Sequence, residues 1–148
     1  MSLSNKTEKE MAAYQTGTFE NLTVQDALTI IAVFASQMVP ENCEEDVKRI
    51  GAISENHPEF VETKENILKR INKFLNSMLA ADEQLKAVEI ANDILTPELQ
   101  KTAFELAAEV AIADKLLTNE KKAVLDTLQS KLSIDTKFAR QTIDKFTK

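Results

Sequence analysis

Glycine, proline, cysteine and histidine are all scarce in this sequence of 148 residues, and each shortage narrows the classes of protein it can encode. It has two glycines and three prolines, whereas compact β-sandwiches and barrels need such residues at frequent turns. The single cysteine excludes an intramolecular disulfide and any zinc site built on paired cysteines. Because there is also only one histidine, we expect any bound metal to have carboxylate and carbonyl oxygen ligands.

Long apolar runs and an excess of positive charge are missing as well. No apolar run reaches the roughly 18 residues that a transmembrane helix needs, and residues 1–10 lack the apolar stretch of a secretory signal. We therefore expect a cytoplasmic protein that does not span a membrane. The formal net charge of -6 argues against nucleic-acid binding.

The charge is distributed unevenly along the chain. Residues 20–62 contain nine acidic and two basic side chains, whereas residues 115–148 contain eight basic and four acidic ones. This asymmetry predicts either two differently charged solvated faces or a bipolar molecule whose acidic face binds cations or basic partners.

The apolar residues recur at the spacing of three and four that marks one face of a helix, and no segment reads as a strand. We predict an all-α fold: a single-domain bundle of about seven helices over residues 19–148, after a polar, partly ordered tail at residues 1–18. Two helices, at residues 24–39 and 97–113, are apolar on nearly every side, so both should be buried and in contact with each other.

Helix starts are marked by residues that cap the first free backbone N–H groups. Thr23 and Asp26 form a capping-box pattern. Thr96 before Pro97 predicts a second helix start. Thr118 and Asp135 are the expected N-caps of the last two helices.

The chain also contains a weak internal repeat. A shift of 76 residues places Leu28 on Phe104 and Glu44 on Glu120, so each apolar helix is followed by a short loop and an amphipathic helix. The pattern predicts two pseudo-symmetric halves that bury their apolar helices against each other. The alternative is a chance likeness between two amphipathic hairpins.

The loop of residues 113–120 carries the clearest candidate site. Asp114 follows a helix C-terminus, where its negative charge lies close to unpaired carbonyl groups. A calcium or magnesium ion would relieve that conflict, and Glu120, in the first turn of the next helix, could contribute a second carboxylate. In the alternative without metal, Asp114 bonds nearby backbone amides, Lys115 neutralises it, and Glu120 stabilises a helix start.

At this loop the segment AAEVAIADKLLTNEKKAVLDTL (residues 107–128) resembles the TerB-like tellurite-resistance family, whose mark is Ala-Asp-Gly followed by Thr or Ser and glutamate. LQSKLSIDTKFARQTIDKF (residues 128–146) is similar to that family's last helical pair. The resemblance covers residues 24–146, most strongly in the second half. It implies a helical protein with two pseudo-symmetric halves, a role in tellurite and other stress responses, metal binding, and protein partners in membrane-associated complexes.

Two departures from the family pattern concern the proposed ligands. Lys115 replaces the usual glycine, and a lysine is strained there if the position needs a positive φ. In the first half the aspartate position falls on Gln37 or Met38, which leaves Glu41 and Glu44 as weaker candidate ligands beside Asp114 and Glu120.

The sequence thus predicts a non-enzymatic stress-response module that binds a divalent cation through acidic loop residues. The alternative is a scaffold bundle that makes only protein contacts, including a homo-oligomer. A third hypothesis is a hydrolase that uses Glu105 and Glu109, which lie four residues apart on one helical face. His57, next to Pro58 in a polar break, is expected to be a solvated loop residue.

Overall fold

The computed structural model describes residues 19–37, 44–78 and 80–147, so the predicted tail at residues 1–18 lies outside the described part. The described residues form seven α-helices and no strand, which confirms the all-α prediction. None of these helices is long and apolar enough to cross a membrane. The helices are α1 (Val24–Ser36), α2 (Glu44–Glu55), α3 (Lys64–Ser77), α4 (Ala81–Asp93), α5 (Pro97–Ala111), α6 (Asn119–Lys131) and α7 (Thr136–Thr147).

The predicted capping residues start their helices. Thr23 Oγ1 accepts a hydrogen bond from the Asp26 amide at 3.1 Å, and Asp26 Oδ2 accepts one from the Thr23 amide at 3.0 Å, which completes a capping box. The hydroxyls of Thr96 and Thr118 each accept one backbone hydrogen bond at the start of α5 and α6, without the reciprocal bond of a capping box. The Asp135 carboxylate accepts from two amides at the start of α7.

Helices α1 and α5 form the centre of the bundle. Every residue from 27 to 35 is buried, and in α5 the only partly exposed positions between residues 103 and 111 are Glu105 and Glu109. The two helices pack extensively against each other, as their all-round apolar character predicts. Ile31 of α1 and Phe104 of α5 are fully buried.

Both central helices end earlier than the sequence pattern suggests. Helix α1 ends at Ser36 rather than at residue 39, because Gln37 turns into the left-handed region with φ 54°. Its backbone N–H and its side-chain Nε2 both donate to the Phe34 carbonyl, at 3.2 and 2.6 Å. These bonds satisfy a carbonyl that the helix leaves unpaired at its end. Helix α5 ends at Ala111 rather than at residue 113.

The outer helices cover the central pair. Helices α3 and α4 pack on α1, helices α6 and α7 pack on α5, and α2 packs on α3 and α5. The α1–α3 contact has a counterpart in α5–α7, and α2–α5 has one in α1–α6. In the described chain, however, α6 and α7 lack a contact as extensive as that between α2 and α3. The two-fold relation between the halves therefore stays a prediction.

A half-buried ionic network fastens the start of α1 to α3. Arg70 Nε donates to Asp26 Oδ1 at 2.9 Å, and its two terminal nitrogens donate to both oxygens of Glu62. The three side chains are only 15–19% exposed. These carboxylates raise the pKa of Arg70, chiefly through its hydrogen bonds with Glu62. The guanidinium thus joins the α1 capping box to the segment that precedes α3.

Replacing this guanidinium should destabilise the fold. We expect Arg70→Met to lower the free energy of unfolding by about 1–3 kcal/mol, because two half-buried carboxylates lose their partner. The control is Lys69→Met, whose residue forms an exposed ion pair with Glu65 and should contribute less than about 1 kcal/mol. Urea unfolding at neutral pH measures both losses, and equal losses would contradict the structural role of Arg70.

Truncating an apolar side chain of a central helix should lower the free energy of unfolding by more than Arg70→Met does. Phe34, near the C-terminal end of α1, is only 7% exposed. Phe34→Ala should lower the free energy of unfolding by about 3–5 kcal/mol, because it removes buried apolar contacts and leaves a cavity. Val61 is 89% exposed, so Val61→Ala should leave the urea midpoint nearly unchanged. A small effect at Phe34 would show that α1 is not central.

Candidate functional site

The loop between α5 and α6, residues 112–118, is held by one lysine side chain. Lys121 Nζ, from the first turn of α6, donates to Asp114 Oδ1 at 2.7 Å and to the Leu116 carbonyl at 3.1 Å. Asp114 Oδ1 also accepts from the Leu116 amide at 3.1 Å. We call this set of contacts among Asp114, Leu116 and Lys121 the clasp.

The clasp supplies the positive charge that the sequence leads one to expect near Asp114. An aspartate just beyond a helix C-terminus needs a cation, and an ammonium bound to both a carboxylate and a carbonyl meets that need. Lys121 provides it, and the alternative expectation that Lys115 neutralises Asp114 is wrong. The backbone turn at residue 115 leaves the Lys115 side chain exposed, whereas Lys121 lies where α6 begins.

The electrostatics of Asp114 follow from these contacts. The hydrogen bond from Lys121 holds the pKa of Asp114 below its ordinary value of 3.8, and the Leu116 amide lowers it further. Because the carboxyl is depressed in pKa, its contribution to stability is present above the ordinary value and is lost as the pH falls through the folded-state pKa.

Lys115 has the positive φ that a glycine at this place in the motif suggests. Its φ is 64°, in the left-handed region that disfavours a residue with a Cβ by roughly 1–2 kcal/mol. Its amide donates to the Ile112 carbonyl at 2.8 Å, which closes the turn after α5. The turn brings the Leu116 amide within hydrogen-bond distance of the Asp114 carboxylate.

The clasp borders a cleft of about 310 Å³ over the C-terminal ends of α1 and α5. Helix α2 contributes Arg49 to the lining, and the clasp and α6 contribute Asp114, Glu120 and Lys121. The structure therefore brings Asp114 and Glu120 to one cleft. Glu120 is exposed, and its carboxylate has no ion pair among the described residues.

The weaker candidate ligands are not part of this arrangement. Glu44 is exposed at the start of α2, where it lies 3.6 Å from Lys48, and it does not line the cleft. Glu41 lies outside the described residues.

The described oxygen donors suit a hard cation poorly. Calcium takes six to eight oxygen ligands, whereas the cleft offers the carboxylates of Asp114 and Glu120, and one Asp114 oxygen already binds Lys121. Within residues 19–37, 44–78 and 80–147, no three His, Cys, Asp or Glu side chains are grouped so as to hold a metal ion. A cation bound to Asp114 would therefore lie beside the lysine ammonium, which would repel it.

A second polar contact was missed by the sequence analysis. His57 Nε2 lies 3.3 Å from Glu109 Oε1, and its side chain is 17% exposed, so the expectation of a solvated histidine is wrong. The contact joins the turn after α2 to α5 across 52 residues, a separation at which local pattern gives no signal. It also engages Glu109, one of the two carboxylates of the hydrolase hypothesis.

Comparisons of the chain with protein-family models, with curated proteins and with solved structures found no match.

The clasp predicts a specific pH dependence. Asp114→Asn should lower the melting temperature at pH 7, because the amide keeps the Leu116 contact but loses the charge that binds Lys121. The difference from the wild-type protein should be full above about pH 4, the ordinary pKa of an aspartate, and should shrink as the pH falls from there through the lower pKa of the folded-state carboxyl. Thermal melts followed by circular dichroism at low ionic strength measure this difference in melting temperature. Asp126→Asn, an exposed carboxyl on α6, is the control; a difference that stays constant with pH would contradict the clasp.

Proposed function

We propose that the protein is a non-enzymatic interaction module, and that its contact surface is the α5–α6 loop beside the cleft. The observation that carries this proposal is the exposure of two adjacent leucines in a fastened loop. Leu116 is 61% exposed and Leu117 is 37% exposed. Large apolar side chains that project from a loop are typical contact residues of protein partners.

The clasp gives these leucines a fixed backbone. Lys121 holds both sides of the turn through Asp114 and the Leu116 carbonyl, and the Thr118 hydroxyl caps α6 directly after the loop. A loop that is already ordered loses less conformational entropy on binding than a free one. The clasp therefore favours binding through Leu116 and Leu117 without a metal ion.

The stress-response role enters the proposal through the TerB-like motif at residues 107–128, which supports a cytoplasmic module with protein partners, including membrane-associated complexes. The motif also supports the second candidate, binding of calcium or magnesium by Asp114 and Glu120. We favour the interaction module because the Lys121 ammonium already binds Asp114 Oδ1 and supplies the positive charge that Asp114 requires. No catalytic role is proposed for Glu109, which contacts His57.

A site-specific crosslink tests the contact surface. The photoreactive residue p-benzoylphenylalanine replaces Leu117 in one variant and Val61 in another, since both positions are exposed. After irradiation in the cells that produce the protein, we expect a defined adduct from position 117 that Leu116→Ser weakens, and none from position 61. Equal adducts from both positions, or none from position 117, would contradict the proposed surface.

Thermal denaturation distinguishes the metal alternative. A cation that binds only the native state stabilises it by about 2.7 kcal/mol at a hundredfold excess over its dissociation constant. We expect calcium and magnesium to leave the melting temperature of chelator-treated wild-type protein unchanged, and also that of Lys115→Gly, which restores the residue of the TerB-like motif. A rise that Asp114→Ala abolishes and Glu120→Ala weakens would establish the metal site instead.

A further inference from the structure

Exposed apolar side chains are few in the described chain, and most of them fall in two charged patches. The first, the loop patch, consists of Leu116 and Leu117 with Lys115 before them and Lys122 after them in the chain. Both lysines are exposed, and in the described chain neither forms an ion pair. The loop patch therefore combines uncovered apolar area with two unpaired lysines, whose charge the exposed carboxylate of Glu120 offsets only in part.

The second patch, the acidic stripe, lies on the outward face of α4. Its members are exposed and spaced by three and four residues, so they share one side of the helix: Asp82, Leu85, Glu89 and Asp93. Glu89 binds Lys131 at 2.6 Å, and Lys86, four residues after Asp82 and three before Glu89, lies beside both on the same face. Within the described residues Asp82 and Asp93 form no ion pair, and Ile94, 40% exposed, extends the apolar area at the helix end.

The two patches are complementary, but they cannot cover each other within one molecule. Lys131, at the C-terminal end of α6, holds α4 through Glu89, whereas the loop patch adjoins the N-terminal end of α6. A helix of 13 residues spans about 20 Å at 1.5 Å per residue. The opposite charges can meet only between molecules.

We propose that the loop patch of one copy docks on the acidic stripe of a second copy. This inference rests on the proposed function, since it names the partner of the same loop. The leucines of the loop would contact Leu85, while Lys115 and Lys122 approach Asp82 and Asp93. The two surfaces differ, so the contact is head-to-tail, and each added copy leaves one loop patch and one acidic stripe free.

Sedimentation velocity of the full chain at increasing concentration, up to about 1 mM, tests the proposal. We expect the weight-average mass to rise with concentration in about 50 mM NaCl and to rise less in about 500 mM NaCl, where exposed charges are screened. Val61→Ser, a matched exposed apolar position outside both patches, should associate like the wild-type protein.

Two variants distinguish a head-to-tail contact from any other. Leu116→Ser/Leu117→Ser removes the loop patch, and Leu85→Ser/Asp93→Lys removes the acidic stripe, so each alone should be monomeric. Their mixture retains one intact patch of each kind and should stop at a dimer of about twice the monomer mass. Circular dichroism confirms that both variants are folded.

A wild-type protein that stays monomeric at both salt concentrations would overturn the second copy as the partner, and so would a mixture that stays monomeric. In either case a crosslink from position 117 to a different protein leaves the proposed interaction module standing. If position 117 also gives no adduct, both proposals fail.

Discussion

The structure depends on the burial of two helices that have almost no polar face. Helices α1 and α5 can leave water only by packing against each other and being covered by the other helices. Their burial brings their C-terminal ends together beneath one cleft, and the last carbonyl groups of a helix need partners from outside it. The bundle therefore concentrates partial negative charge at one place on its surface.

The groups that donate hydrogen bonds to the carbonyls at these helix ends determine the conformation of the site. Neither α1 nor α5 has a basic residue in its last turn, so the required donors come from beyond each helix. Gln37 supplies an amide to the end of α1, and Lys121 supplies an ammonium to the turn after α5. The second arrangement also neutralises Asp114, which fixes the loop that carries the exposed leucines.

Local features were predictable from the sequence, and contacts between distant residues were not. Helix type, the N-caps at Thr23 and Thr118 and the burial of α1 follow from periodicity and capping chemistry, which act over a few residues. The contacts of Arg70 with Asp26 and of His57 with Glu109 join positions 44 and 52 residues apart, and they depend on how helices pack. For the same reason, periodicity could not identify which lysine near Asp114 would reach it.

Lys115 combines a disfavoured backbone conformation with an exposed positive charge. A glycine would adopt φ 64° at no steric cost, so a lysine there is disfavoured in the folded state, although it restricts the unfolded chain more than glycine does. Its side chain does not reach Asp114, because the left-handed turn leaves it in solvent while Lys121 binds the carboxylate. Lysine in place of glycine therefore adds an exposed positive charge beside Leu116.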